Sequence, residues 1–216
     1  MRLRRSIGTA LLCCQLLNAC AETADVGPQR YVVRPQDTLY SIAWRHNLDY
    51  RDLARWNNVG RDFHISVGQV LVLGPNGVRP APQTVAPRAP APAAMPGAGT
   101  GLWVWPTDRS GAPRPVPGGG ILLSGRLGQD VRAASAGRVV YSGNGLRSYG
   151  NLIIIKHADN LLSAYAHNRE MLVRDGADVT AGQVIAHMGQ SAQLPVLYFE
   201  LRQNGKPIDP LSVLPK

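Results

Sequence analysis

Apolar and polar positions follow two different periods in two separate blocks of the chain. The first block opens with the extended run Tyr31-Val32-Val33-Arg34, after which Leu39, Ile42, Ala43 and His46 recur at a helical spacing. Pro35-Gln36-Asp37-Thr38 marks the change of period as a turn, with Asp37 or Thr38 as the helix N-cap. A second short helix is predicted from about Tyr50 to Trp56, with Leu53, Ala54 and Trp56 turned inward, and Asn57-Asn58-Val59-Gly60 ends it. Ile65, a Val67-Gly68 turn and the run Gln69–Leu73 predict a closing strand. The expected order is strand, helix, helix, strand.

From Leu102 onward the signals are those of strands. GRVVYSG, NLIIIKH, LSAYAHN, QVIAHMG and LYFELR are short apolar runs bounded by Gly, Asn or Asp, and no helix is predicted among them. The second block is therefore expected to be mostly β, a sandwich or an open barrel-like sheet. Pro106 and the run RSGAPRPVPGGG predict a loop before that sheet begins. In the last long strand, alternation puts Val196, Tyr198, Glu200 and Arg202 on one face. That face carries a phenol, a carboxylate and a guanidinium but no histidine.

Residues 75–101 separate the blocks. They are rich in Pro, Ala and Gly, a composition that packs no core and predicts a disordered linker. Residues 21–30 are expected to be a tether. Residues 1–20 begin with the basic MRLRRS and continue into the apolar IGTALLCCQLLNAC, the pattern of an export signal. That run is too short for a membrane span, which needs roughly 20 apolar residues. All three cysteines (Cys13, Cys14, Cys20) lie there, so the remainder has neither a disulfide framework nor a thiol metal site. The formal charge of +9 falls to +6 once the three arginines of residues 1–19 are removed. Positive charge suits an anionic wall polymer or an acidic partner, or serves solubility. No nucleic-acid motif accompanies it, so nucleic acid is not an expected partner.

Four resemblances add to this reading. LNAC at Leu17–Cys20 resembles a bacterial lipobox, which implies that Cys20 is lipidated and becomes the new N-terminus. Asn18 departs from the small residue usual there, and an ordinary cut at Ala19-Cys20-Ala21 is the alternative. With Ala21 rather than Asp following the cysteine, the usual sorting pattern implies an outer-membrane lipid anchor. The stretches YVVRPQDTLYSIAWRHNL, LARWNN and ISVGQVLVL, within residues 31–74, resemble a LysM domain, a small α+β (βααβ) module that binds peptidoglycan. That likeness implies a shallow groove for peptidoglycan glycan strands, with Gln36, Asp37, Thr38, Leu39, Asn58, Val59 and Ile65 as candidate contacts. Helix capping by Asp37 and Thr38, and packing by Leu39, are the alternative roles.

Residues 102–216 resemble the LytM-type, lysostaphin-like zinc metallopeptidases, a mostly-β, duplicated-hybrid fold. The likeness rests on Trp105-Pro106, GQDVRAASAGRVVYSG, SYGNLIIIKH, Tyr165-Ala166-His167, VTAGQVIAHMG, YFELR and PIDP. Active members hold zinc with H-x-G-x-D and H-x-H-F-E. Zinc needs such donors, and three of them leave one position open for water. Carried over, the ligand positions hold Gly118, Leu122 and Tyr198, and an assisting histidine is replaced by Val196. His167 remains as a vestige of the catalytic set. The resemblance implies a degenerate domain without metal, cofactor or catalytic residues. His46, His64, His157 and His187 are expected to be structural or superficial, and a site rebuilt from His157, His167 and His187 is the alternative. Leu122, Tyr149, His167, Tyr198 and Arg202 are the expected lining of a partner-binding groove. The alternative is that Leu122 and Tyr198 fill the space left by zinc.

The order lipobox, LysM module, linker and LytM domain is similar to that of the NlpD-like lipoproteins. This implies a periplasm-facing, outer-membrane protein that activates an N-acetylmuramoyl-L-alanine amidase for septal wall splitting and daughter-cell separation. The competing readings are an active zinc endopeptidase and a passive wall tether.

Overall fold

The structure is a computed structural model that describes residues 29–75 and 102–216. The export segment, Cys20, most of the tether and nearly all of the linker lie outside the described residues. Strand β1 (Arg30–Val32) and strand β2 (Val70–Val72) pair antiparallel and frame helices α1 (Leu39–Arg45) and α2 (Tyr50–Trp56). Gln29 and Arg30, expected in the tether, are instead part of this ribbon. The Gln29 carbonyl accepts from Leu73 N–H at 2.7 Å, and Arg30 lies opposite Val72.

Of the two cap candidates, Thr38 takes the position. Ser41 N–H donates to Thr38 Oγ1 at 3.1 Å, and Thr38 N–H donates to Ser41 Oγ at 3.0 Å, a reciprocal capping box. Asp49 caps α2 through Arg51 N–H at 2.7 Å. Helices of seven residues do not persist alone, so tertiary contacts hold them. Asn57 supplies one such contact. Its side chain accepts from Val72 N–H at 2.6 Å and donates to the Val72 carbonyl at 2.9 Å and the Leu53 carbonyl at 2.8 Å. The amide thus acts as one residue of a third strand beside β2.

The second block is an antiparallel sheet. Its strands are β3 (Arg114–Pro115), β4 (Ile121–Ser124), β5 (Asp130–Arg132), β6 (Gly137–Gly143), β7 (Asn151–Lys156), β8 (Leu161–Met171), β9 (Asp178–Val179), β10 (Val184–Met188), β11 (Gln190–Ser191), β12 (Leu194–Gln203) and β13 (Lys206–Ile208). The main path runs β3-β4-β12-β8-β7-β6-β9, with β10 joining β8 to β5. The stretch expected to be a loop contains β3, a short edge strand that tolerates Pro115 because its outer side needs no ladder bond.

The sheet is buried on both faces. Strand β7 reads NLIIIK, and Leu152, Ile153, Ile154 and Ile155 are all fully buried. Such continuous apolar runs belong to strands covered on two sides. Ile153 and Ile155 pack with Ile121, Leu123, Val139, Tyr165 and Phe199 in one core. Leu152 and Ile154, with Leu162, Ala164 and Ala166, share the other core with Leu39, Ile42, Trp44, Tyr50 and Leu53. The cover of the second face is therefore the N-terminal module. Each buried Leu or Ile contributes about 1.5–3 kcal/mol, which sets the scale of the docking energy.

His157 closes β7 in a polar chain inside the first core. Its Nδ1–H donates to the Ala136 carbonyl at 2.7 Å, and its Nε2 lies 2.7 Å from Ser163 Oγ. Ser163 Oγ is 3.0 Å from Tyr165 Oη, which accepts the Ala134 N–H at 2.8 Å. Burial pushes His157 down to about 4 and Tyr165 up to about 12. The unfolded chain takes up a proton near pH 6.5 that the folded imidazole refuses, so stability is full above 6.5 and lost as pH falls toward 4. The loss from this residue amounts to at most about 3 kcal/mol. His46 and His167 are also lowered by burial and act in the same direction. Urea midpoints are expected to fall between pH 7.5 and pH 4.5, and His157→Asn is expected to shrink that difference. An undiminished difference would assign the acid sensitivity elsewhere.

Candidate functional site

Register assembles the site. Tyr198 lies opposite Leu122 on β4 and Ala166 on β8, Glu200 opposite Ala164, and Arg202 opposite Leu162. Ala164 and Ala166, beside these large polar residues, are fully buried in the cluster shared with the N-terminal module. Tyr198 Oη donates to Glu200 Oε2 at 2.7 Å, and Arg202 Nε donates to Glu200 Oε1 at 2.7 Å. The Tyr198 ring meets Tyr149 edge-on at 5.6 Å between centroids and lies 6.3 Å from His167. It also presses on Gly120, where any Cβ would come within 2.6 Å of the phenol. Burial, then the hydrogen bond to Glu200, raises the Tyr198 pKa, so the phenol stays neutral.

Leu122, Tyr149, His167 and Tyr198 do converge and are partly buried. Arg202 does not line an open groove as expected. It is only 4% exposed, its guanidinium stacks 3.9 Å above the Trp44 ring, and its Nη1 donates to the Trp44 carbonyl at 2.9 Å. Helix α1 of the N-terminal module sits on this end of the face. Arg45 Nη2 donates to the Gly145 carbonyl at 3.3 Å. The turn between β12 and β13 touches the Leu48-Asp49 backbone, where a Cβ on Gly205 would come within 2.5 Å. Lys156 completes the junction, its ammonium 5.4–5.9 Å from the rings of Tyr40, Tyr50 and Phe63.

The positions assigned to zinc ligands do not fit the ion. Gly118 is exposed, has no donor and sits at φ +100°, where a histidine would be strained. Leu122 has no donor, and the Tyr198 phenol is committed to Glu200. Val196 is buried opposite Ser124. The other histidines do not come together as a metal site: among the described residues no three His, Cys, Asp or Glu side chains form one. His157 is buried in its polar chain, and His187 is flanked by Glu170 at 3.3 Å and Asp130 at 3.8 Å.

The expected glycan contacts separate into groups. Leu39 is 1% exposed and packs in the core, which withdraws its side chain from any ligand. Asp37 accepts from Tyr31 Oη at 2.7 Å, from Arg34 N–H at 2.9 Å and from Arg45 at 3.3 Å, so its carboxylate is committed to the turn. Asp37, Thr38 and Ile65 nevertheless line one cleft, together with Phe63 and His64, which sequence reasoning missed. Gln36 and Asn58 are exposed with left-handed backbone, and they and Val59 lie outside that cleft.

Comparison with known proteins agrees with this architecture. The LysM domain profile matches residues 31–74, and that of Peptidase family M23 matches residues 117–210. The chain is 40% identical to the lipoprotein NlpD/LppB homolog of Pseudomonas aeruginosa, covering 92% of this chain and 81% of that one. It is 37% identical to the uncharacterized lipoprotein YgeR of Escherichia coli K12, over 98% and 94% of the two chains. It is 35% identical to the murein hydrolase activator NlpD of the same organism, over 86% and 68%.

The buried Glu200–Arg202 pair has a measurable consequence. Arg202→Ala strands a carboxylate that is 1% exposed and is expected to cost about 3–5 kcal/mol in urea unfolding. Arg202→Met, paired with Glu200→Gln, keeps the packing and is expected to cost much less. Similar losses in the two proteins would mean that the charge pairing is not what holds this end of the face.

Proposed function

The chain belongs to the NlpD/LppB lipoprotein family, in which a LysM domain precedes a peptidase family M23 domain, and from that premise we propose that it is a non-catalytic murein hydrolase activator. Its partner is a periplasmic N-acetylmuramoyl-L-alanine amidase. The LysM module holds peptidoglycan glycan strands, a lipid on Cys20 anchors the chain at the outer membrane, and the site of action is the division septum.

The observation that carries this reading is the chemistry around Tyr198. At the positions aligned with metallopeptidase ligands the chain has Leu122 and Tyr198, side by side across β4 and β12, and Gly118, with the Tyr149 and His167 rings against Tyr198. Partly buried aromatic and aliphatic side chains of this kind suit capture of a peptide segment. The face activates an amidase by binding its open form more tightly than its closed form, because equal affinity would shift nothing.

The seated LysM module limits access to that face, with Trp44 stacked on the Arg202 guanidinium at 3.9 Å. A partner segment gains the Arg202 end of the face only when α1 lifts away from it.

Dye release from labelled sacculi tests the proposal with amidase alone, this protein alone and the two together. Release above the amidase level is expected only from the pair. Release by this protein alone, or stoichiometric zinc in the purified chain, would restore the peptidase reading. No stimulation would leave a passive tether. Tyr149→Ala is expected to lower stimulation several-fold while sacculus pelleting stays unchanged. Trp44→Ala, which uncovers Arg202, is expected to stimulate at lower protein concentration than the parent chain.

A further inference from the structure

A cleft of about 710 Å³ lies between the two modules. One wall comes from the N-terminal module, through Thr38, Phe63, His64 and Ile65; the other comes from the M23-type sheet, through Arg138 and Lys156. Asp37, Thr38 and Ile65 of the expected glycan contacts therefore face a second wall, bearing Arg138 and Lys156, that a LysM module alone does not possess.

Asp37, Arg61, Asp62, Arg138 and Lys156 line this cleft, and their charges are unequally matched. Asp37 is held by Tyr31, Arg34 and Arg45. Arg138 is held by both oxygens of Asp178, at 2.8 and 2.9 Å. Lys156 has no carboxylate partner among the described residues. Its ammonium is instead positioned by three aromatic rings that also touch one another, with Tyr40–Tyr50 at 4.5 Å, Tyr50–Phe63 at 5.2 Å and Tyr40–Phe63 at 5.6 Å. A cation on aromatic faces keeps its other side free for an anion. Because the rings restrict the side chain before any ligand arrives, less rotamer freedom remains to be lost on binding.

We propose that the inter-module cleft is a composite saccharide site in which Lys156 binds the carboxylate of an acidic sugar. The ligand class is an N-acetylated glycan whose alternate sugars carry a carboxylate, as muramic acid does. Sugar C–H faces lie against Phe63 and Ile65, hydroxyl and acetamido groups meet Thr38 and His64, and the carboxylate reaches Lys156. A neutral N-acetylglucosamine oligomer lacks the last contact. The assignment of the polymer as peptidoglycan rests on the function proposed above, and it means strands freed of their stem peptides, because the muramic acid carboxylate is otherwise tied up as an uncharged amide. A ligand that touches both walls binds best when the modules are together, so it holds α1 over the Arg202 end of the face.

Calorimetric titration of the full chain tests this with two probes, a tetrasaccharide of alternating N-acetylglucosamine and N-acetylmuramic acid, and an N-acetylglucosamine tetramer. The acidic tetrasaccharide is expected to bind more tightly. Lys156→Gln is expected to weaken it about fivefold to tenfold while the neutral tetramer is unaffected, the size typical of one charge-assisted contact. Lys156→Arg, which keeps the charge, is expected to restore most of the affinity, and thermal melts of both variants check that they fold. Equal affinity for the two probes in the parent chain, equal loss of both in Lys156→Gln, or no recovery in Lys156→Arg would overturn the proposal. Dye release with amidase, measured on the same samples, separates the two readings. Intact stimulation without sugar discrimination sinks only the Lys156 subsite, and sugar discrimination without stimulation sinks only the activator role.

Discussion

A sheet that is apolar on both faces must be covered on both faces, and most of this structure follows from that constraint. The side of β7 and β8 that carries Leu152, Ile154, Leu162, Ala164 and Ala166 would meet water if the second domain stood alone. The two seven-residue helices of the first module have the converse need, since helices that short require a surface to pack on. Joining them buries Trp44, Tyr50 and Leu53 in the same cluster as the sheet residues. The linked pair behaves as one core shared by two sequence-distant modules.

Cross-strand register places three cations along one row of that covered face. Arg138 lies opposite Lys156, Lys156 opposite Leu162, and Leu162 opposite Arg202. Each cation has a different compensation. Asp178 takes Arg138, aromatic rings take Lys156, and Glu200 with the Trp44 ring takes Arg202. Buried ion pairs add little net stability compared with apolar replacements, but they are strict about geometry. The Glu200–Arg202 pair therefore serves to fix where α1 sits more than how tightly it is held. The same residue cannot be a free recognition group while it performs this task, which is why Arg202 belongs to the closure and not to an open groove.

Much of the fold was legible in the residues. The helical spacing of Leu39, Ile42 and Ala43, the alternation through β12 and the unbroken NLIIIK run each report a local period, and local periods survive folding. The burial of NLIIIK on both sides emerged only from the structure, because nothing local says what covers the second face. The contact between Trp44 and Arg202 spans 158 positions, and no pattern within either block points to it. Asp37 was ambiguous for a similar reason: its role was settled by Tyr31 and Arg45, which reach it through the fold. Phe63 and His64 were invisible because a cleft wall has no sequence period. Lys156 read as the polar end of a strand, and only the three rings around it mark it as special.

On the function and the cleft site proposed above, closure of one module on the other makes two ligands compete through a single equilibrium. A segment that needs the Arg202 end of the face favours separation, and a saccharide that spans the cleft favours contact. Neither has to touch the other for coupling to exist, because each shifts the same equilibrium by the ratio of its affinities for the two arrangements. The size of the effect is bounded by the docking energy itself. Leu152, Ile154 and Trp44 favour contact. If apolar burial dominated heavily, no partner segment of ordinary affinity would separate the modules. The proposed activation therefore requires a partner segment whose preference for the uncovered face exceeds the docking energy that this apolar burial sets.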